Sequence, residues 1–568
     1  MTSLTQLVIL TLHTLVSSFT INSTGKLSVS HAPHSHTRQP RYVITDQHHR
    51  EILLRGVNIN LQGWRRPGND RPMNPTKYTP GNKCPTYDNS KWMNPPLCEV
   101  EAGQGKYNQS TLPNSHNDLA QIRSLGMNFV RLGISWSLIE PQPGQYSTEY
   151  INRIAQVVSW AKEQDIYVLL DFHQDWYSYS LNNGSRIGSY VDGAPSWAVL
   201  NSSINKMSTI EKDVWEKVGF DWHTVAAFRT FYNNQIPKTS SNNLAVGTAM
   251  GIQEHYIRMV AAIVKRFVNE STVVGYEIMN EPPPSQLNVL DFSNKILYPF
   301  YKRVIQAVTG VRDHLKDCPL NDTIRDDCAF PDLNIHSHQL MFVEPCAIRN
   351  QLDRSIQNVW NFTSYNNIVY APHSYTNSFT LSKNVPYEQA LDTAWKEAYK
   401  MRASVIVTEF GSGTSQLNLN KLGNITQEQD KHLTGSTFWV WKEGSGGWSM
   451  WIGAEDTKGM KLQPRRESIL VRARPYAVLG QLLALNYNVT LQRLSFTASF
   501  NDSLVNQAAF PFPPTLVYVP TLMYLEGRNV TISVTGAARL GSVVVQPDGS
   551  REVEIACTGK GRYSVEIG

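Results

Sequence analysis

Val273-Val274-Gly275-Tyr276-Glu277-Ile278-Met279-Asn280-Glu281-Pro282 decides the fold. It opens as an apolar run of strand length and stops at a polar trio, Asn280-Glu281-Pro282. Proline has no backbone N–H to give a sheet ladder, so the strand must end by Pro282. That leaves Glu281 at the carboxyl end of a buried strand, where parallel α/β barrels present their reactive side chains. Ser404-Val405-Ile406-Val407-Thr408-Glu409-Phe410-Gly411 has the same grammar, a β-branched run closing on a carboxylate and a glycine. Two strand-terminal glutamates far apart in sequence point to the paired carboxylates of a glycoside hydrolase. The duller reading makes each a solvated strand end.

Other strands lie on either side. Strand-like stretches occupy 53–59, 129–134, 167–172, 340–345, 368–373 and 437–441. Between them Ile151, Ile154, Val158 and Ala161, and later Phe300, Val304, Val308 and Val311, recur at helical spacing. Helices are also expected near 387–402 and 425–434. Eight strand–helix units make an α/β chain, a (β/α)8 TIM barrel over residues 42–485. Long insertions at 62–116 and 178–250 interrupt it, and loops of that length commonly shape a binding site. Beyond about Tyr487 short β-rich segments separated by turn signals predict a small C-terminal β-sandwich over 486–568. It is read either as a structural appendage or as a surface for substrate or membrane contact.

At 568 residues the chain is too long for one ordinary core. Its net charge of +5 is mild and no Lys/Arg-rich block appears, so nucleic-acid binding has no support. Residues 1–20 read as a secretory signal peptide, with an apolar stretch from Leu7 to Val16 and small residues after it. Residues 21–41 are polar and read as a loose N-terminal arm. No later run approaches the roughly 20 apolar residues that span a bilayer. Eleven Asn-x-Ser/Thr sequons, at Asn22, Asn108, Asn183, Asn201, Asn269, Asn321, Asn361, Asn424, Asn488, Asn501 and Asn529, favour a glycosylated secretory protein. Secretion or the lumen of the endolysosomal pathway is the expected location. Of six cysteines, Cys84/Cys98 and Cys318/Cys328 each bracket a short polar loop and are expected to pair; Cys346 and Cys557 pair with each other or stay free. No Cys/His cluster has metal-ligand spacing, and no metal is expected.

Asn280-Glu281-Pro282 and Glu409-Phe410-Gly411 resemble the motifs of glycoside hydrolase family 5, and the chain is similar, from about Arg55 to Gln481, to its endoglycoceramidases. Leu170-Asp171-Phe172-His173-Gln174-Asp175, Gly193-Ala194-Pro195-Ser196-Trp197-Ala198, Trp441-Lys442-Glu443 and Arg474-Pro475-Tyr476 carry the narrower likeness. The resemblance implies retaining hydrolysis of the β-linkage between glycan and ceramide in glycosphingolipids, without cofactor. A monomer is expected, with contact to a membrane surface or micelle as one option. It makes Glu281 the acid/base and Glu409 the nucleophile. Asn280 would bind the sugar 2-hydroxyl, His173 and Asp175 other hydroxyls. Arg131 would keep Glu409 ionised, Tyr375 would steady it from the segment Pro372-His373-Ser374-Tyr375, and Trp441 would floor the sugar site. Bacterial members tend to carry a basic residue where Gln62 aligns, which leaves headgroup specificity open.

Each residue also has a plainer reading. Arg131 could be a structural ion pair, His173 and His373 satisfied interior histidines, and Trp439 and Trp441 core residues on one strand face. Glu344, before Pro345, is a third strand-end carboxylate and a rival to Glu281, without the preceding Asn. Trp176, Tyr177, Tyr179, Trp197, Trp215, Phe220 and Trp222 either line a lipid trench or pack under long loops. Competing functions are a β-glucosidase acting on glucosylceramide or a steryl glucoside, a polysaccharide endoglucanase, and a catalytically inactive glycolipid binder.

Overall fold

The deciding stretch is the fourth strand of a closed parallel barrel. The computed structural model describes residues 6–8, 26–32, 40–60, 116–175, 177–178, 193–200, 222–237, 250–285, 289–313, 315–316, 328–356, 362–376, 384–441, 448–452, 461–500 and 512–568. The barrel strands, numbered in chain order, are β1 (Arg55–Asn60), β2 (Phe129–Ile134), β3 (Tyr167–Phe172), β4 (Val273–Glu277), β5 (Leu340–Val343), β6 (Ile368–Tyr370), β7 (Ser404–Phe410) and β8 (Gly435–Phe438). They follow one another in sequence order around the barrel, and β8 closes onto β1 with Phe438 opposite Val57. Gly275 lets β4 approach β5. A Cβ there would stand 2.1 Å from the carbonyl oxygen of Leu340.

Helices wrap the outside. Thr148–Glu163 buries Tyr150, Ile154, Val157, Val158 and Ala161, and Ser147 caps it by accepting from the amide of Tyr150 at 3.2 Å. Tyr387–Met401 forms as expected, while the helix expected near 425–434 starts earlier, as Gln416–Lys431.

Period-2 alternation divides the barrel wall. Val130, Leu132, Val168, Leu170, Tyr276, Met341 and Val343 point out into the core shared with the helices. Phe129, Leu169, Val274, Phe342, Val369 and Ile406 join a second cluster that fills the lower barrel. On the same inward rows, toward the carboxyl ends, come Arg131, Asp171, Glu277, Glu344 and His373, all buried. The interior is therefore oily at one end and ionic at the other.

The sandwich is real but differently bounded. One sheet runs Gln6–Val8, Ile532–Gly536, Gly561–Ile567, Arg493–Phe500, Gln481–Asn488. The other runs Ser28–Ala32, Arg41–Thr45, Arg50–Ile52, Arg474–Leu479, Thr515–Val519, Arg551–Cys557, Ala538–Val545. Three corrections follow. The sandwich begins at Arg474 rather than 486, and residues 42–52 belong to it rather than to the barrel. Part of the expected loose arm, Ser28–Ala32, is a strand paired with Arg41–Thr45. Gln6–Val8, inside the expected signal, sits on a sheet edge against Ile532–Gly536. Between the sheets lie Val478, Leu494, Phe496, Val517, Val553 and Val565. The outer face of the larger sheet plugs the barrel floor through Ile52, Tyr476, Leu516 and Tyr518.

Cys328 is disulfide-bonded, and Cys346 and Cys557 are free thiols. Cys84, Cys98 and Cys318 fall outside the described residues, as do residues 61–115 and much of 178–250. Among the described residues no helix is long and apolar enough to cross a membrane.

Candidate active site

β4 and β7 bring the two predicted glutamates together at the carboxyl mouth. The β4 ladder stops at Glu277, but the chain stays tied to both neighbours. The amide of Ile278 donates to Phe342 O and that of Asn280 to Phe172 O, each at 3.1 Å. Glu281 follows with φ 38°, a left-handed conformation that side chains with a Cβ avoid and that surrounding structure must hold. On β7 the register against β8 shifts between Val407 and Phe410. Bulges of this kind re-aim side chains beside active sites. Here Thr408 donates to Glu277 Oε1 (2.8 Å), while the next residue, Glu409, reaches the mouth. A carboxyl oxygen of Glu281 lies within 4.8 Å of one on Glu409. Retaining glycosidases hold their carboxyls about 5–5.5 Å apart.

Arg131 organises the floor beneath them. Its Nη1 donates to Glu409 Oε1 (2.7 Å) and to Asn58 Oδ1 (2.9 Å), and its Nη2 to Asn280 Oδ1 (2.6 Å). Its Nε meets Glu277, and Asp171 and Glu344 stand at 3.0 and 3.5 Å from Nη2. Burial alone would lower its pKa, but Asp171, Glu277, Glu409 and Glu344 raise it well above the ordinary value. Tyr375 donates to the other oxygen of Glu409 at 2.8 Å, and its ring meets Trp448 edge-on at 5.7 Å.

Two histidines complete the ionic floor. His173 Nδ1 lies 2.6 Å from Asp171, and its Nε2 faces Asp175 at 3.6 Å. His373 Nδ1 lies 2.8 Å from Glu281 and 3.5 Å from Glu409. Burial pulls both imidazoles down. The carboxyls override it, Asp171 foremost for His173 and Glu344 for His373, and carry both well above the ordinary histidine range. Six carboxyls (Asp171, Asp175, Glu277, Glu281, Glu344, Glu409) thus meet three cations. Unpaired buried charge is costly, so about half the carboxyls must hold protons. Glu277, Glu281 and Glu344 are the three that burial pushes up, Glu344 to about 8. For Glu281 the nearby charge of Glu409 adds to the effect, and His373 opposes it.

Glu281, His373 and Glu409, and likewise Glu277, Glu344 and His373, are close enough to share a cation. Both sets depend on His373, whose protonated ring has no lone pair for a metal. The chemistry of the donors favours hydrogen bonding over ligation.

Of the predicted residues, Arg131, Asn280, Glu281, His373, Tyr375 and Glu409 converge directly. His173 and Asp175 lie alongside. Trp441 does not join them. It is 1% exposed, its Nε1 donates to Asp118 (2.9 Å), and its ring packs edge-on against Trp451. Trp439 lies beside the cluster instead, half-buried and stacked on His173 with ring centres 5.4 Å apart. The expectation that the two share a strand face fails because the β8 ladder ends at Phe438. Sequence reasoning also missed Asn58, Asp171 and Glu277. The available signal was an ionisable or amide side chain on an inward position of an apolar strand, as in Tyr167, Leu169, Asp171. Of the aromatic insertion, Tyr177 is core and Trp197 packs against Trp136 and His255.

The fold and sequence have known counterparts. Endoglycoceramidase I of Rhodococcus hoagii is 25% identical over 458 residues, covering 78% of each chain. Endoglycoceramidase of Cyanea nozakii is 22% identical, covering 74% of this chain and 78% of its own. Endo-glycoceramidase II from Rhodococcus sp., solved as a ganglioside GM3 complex, has the same fold at a TM-score of 0.63 and 19% identity, over 92% of this chain and 98% of its own. Glucosylceramidase of Aspergillus fumigatus matches 44% of this chain at 24% identity. The pattern described as cellulase (glycosyl hydrolase family 5) runs through residues 88–445, more than half of the chain and both mouth glutamates included, and the protein belongs to that family.

Proposed function

We propose that the protein hydrolyses the β-glycosidic bond joining glycan to ceramide in glycosphingolipids, with retention of configuration. The observation that carries the reaction is the close approach of Glu281 and Glu409, one raised in pKa and the other held by Arg131 and Tyr375. Glu409 attacks the anomeric carbon as the bond to the ceramide oxygen breaks, and Glu281 gives that oxygen its proton. A water then adds to the anomeric carbon, returns a proton to Glu281 and frees Glu409. Every bond is handled by two carboxyls and one water. Trp439 offers an aromatic face to the pyranose, and His173 and Asp175 are placed to meet hydroxyls.

The relatives that cover most of the chain supply the substrate class. Matches to glucosylceramidases and to an ergosteryl-beta-glucosidase cover 42–44% of the chain and support a β-glucosidase less well. We further infer that the protein enters the secretory pathway behind a signal within residues 1–20, bearing N-glycans and the loop disulfides Cys84/Cys98 and Cys318/Cys328. It works as a monomer at a lipid surface. The described sequon residues Asn269, Asn424, Asn488 and Asn529 are all exposed, which supports that route. Gln6–Val8 is an outermost strand of three residues, so its removal leaves the rest of that sheet paired.

Mass spectrometry of products from a mixed glycosphingolipid pool tests the reading. Intact oligosaccharides plus ceramide are expected. Release of glucose alone would favour the glucosidase, and tight binding without turnover would favour a binder.

A further inference from the structure

Glu344 follows β5 directly, and its side chain is sealed from solvent behind His373. It is no rival to Glu281, because it has no access to the cleft. Its Oε1 lies 3.3 Å from His373 Nε2, while the opposite ring nitrogen faces Glu281 at 2.8 Å and Glu409 at 3.5 Å. Asn350 clamps both partners. Its Nδ2 donates to Glu344 Oε2 (3.2 Å), and its Oδ1 accepts from the backbone amide of His373 (3.1 Å). Tyr301 donates to the backbone oxygen of Glu344 at 3.0 Å. Arg131 and Glu277 are the other charged or titratable groups facing this carboxyl.

We propose that Glu344 is a positioning residue that acts through His373, holding its ring as a fixed imidazolium between the two mouth glutamates. This rests on the reading of Glu281 as acid/base and Glu409 as nucleophile. When Glu409 becomes an ester it loses its negative charge. Glu281 gains one as its proton leaves with the ceramide oxygen. The second half-reaction reverses both changes. His373 touches both carboxyls, so negative charge passes from one neighbour to the other while the cation between them stays. No proton need cross the ring. A neutral imidazole would offer no such compensation; Glu344, raised to about 8, ionises as the pH climbs through that range, and its carboxylate behind Nε2 then disfavours that form. The raised position of His373, with Glu344 the strongest upward influence against burial, agrees with the geometry.

Glu344→Gln keeps the size and the acceptor but removes the ionisable group. We expect kcat near wild type at pH 5 and an alkaline limb moved about one unit lower, so that kcat there falls about tenfold with KM unchanged. Histidine side-chain NMR should show His373 losing its proton at lower pH in the same variant, a readout that needs no turnover. An unchanged His373 titration with an unchanged pH profile overturns the proposal, and so does a loss of activity uniform across pH. If E344Q is not recovered folded, Asn350→Ala releases the same carboxyl and should shift the same limb in the same direction; no shift refutes equally. The underlying reading is tested separately by azide rescue of Glu281→Ala on an activated aryl glycoside. Failure there removes Glu281 as acid/base, whatever His373 does.

Discussion

Replacing Arg131 by methionine keeps the length of the side chain and deletes one buried cation. Four carboxyls lie within 3.5 Å of that guanidinium. Breaking a buried pair by removing one partner costs about 3–5 kcal/mol, because the remaining charge is left uncompensated. The cluster has a way to relieve this. One further carboxyl can take up a proton, since burial already raises Glu277 and Glu344. Unfolded glutamates ionise near 4.3, so between pH 5 and 7 the unfolded chain gains no matching proton. The variant's folded state then binds one proton more than wild type, and its stability falls more steeply with pH by about 1.4 kcal/mol per unit. A deficit of about 3–5 kcal/mol at pH 7 should therefore shrink by about 2.7 kcal/mol at pH 5. Urea-unfolding curves of both proteins at the two pH values measure it. Equal deficits at both, or a larger one at pH 5, would refute the account of the floor as a proton-sharing carboxyl cluster held by one arginine.

Other outcomes follow from the same geometry. Glu281→Gln should lose about 10²–10⁴-fold on glycolipid yet retain the first step on an aryl glycoside with a good leaving group, whereas Glu409→Gln should fail on both, as stopped-assay kinetics will show. Trp439→Ala should cut kcat/KM about tenfold with little change in melting temperature. Trp441→Phe should do the reverse, since losing the bond to Asp118 costs about 1–3 kcal/mol of stability at unchanged kcat/KM. Wild-type protein should melt higher at pH 5 than at pH 8. The raised Glu344 and the raised His173 and His373 each bind protons in the folded state that the unfolded chain has released, so their contribution declines as pH rises through that window. A melting temperature that climbs from pH 5 to 8 would contradict it.

β4 and β7 were legible because each couples an apolar run to a hard stop, and a barrel turns such stops into one rim. Arg131, Asn280 and Tyr375 were reached through motifs, and the structure joins them around the same pair. What failed was anything that needed a strand's end to be known. The resemblance points to Trp441, and alternation would put Trp439 on the same face, but the β8 ladder ends at Phe438 and extends to neither. Ser28–Ala32 read as loose because its partners are a strand beyond an unremarkable polar gap and a sheet completed by residues after 474. Local pattern carries no record of a partner so far away. The ionic floor was half visible. Asp171 and Glu277 sit on inward rows of otherwise apolar strands, a signal that only gains meaning once the rows are known to share one enclosed space.

Ile52 pairs with Ala477, and Arg50 with Leu479. During synthesis the first of these segments leaves the ribosome about 425 residues before the second. At 5–20 residues per second that is a wait of about 20–85 s. Through that interval Arg50–Ile52 has no outer neighbour, and the barrel floor lacks the plug supplied by Tyr476, Leu516 and Tyr518. A nascent chain stalled before 474 therefore presents both an open strand edge and an oily barrel floor, the two surfaces that chaperones cover and aggregates recruit. The fold is completed by the joining of two segments that lie far apart in the sequence.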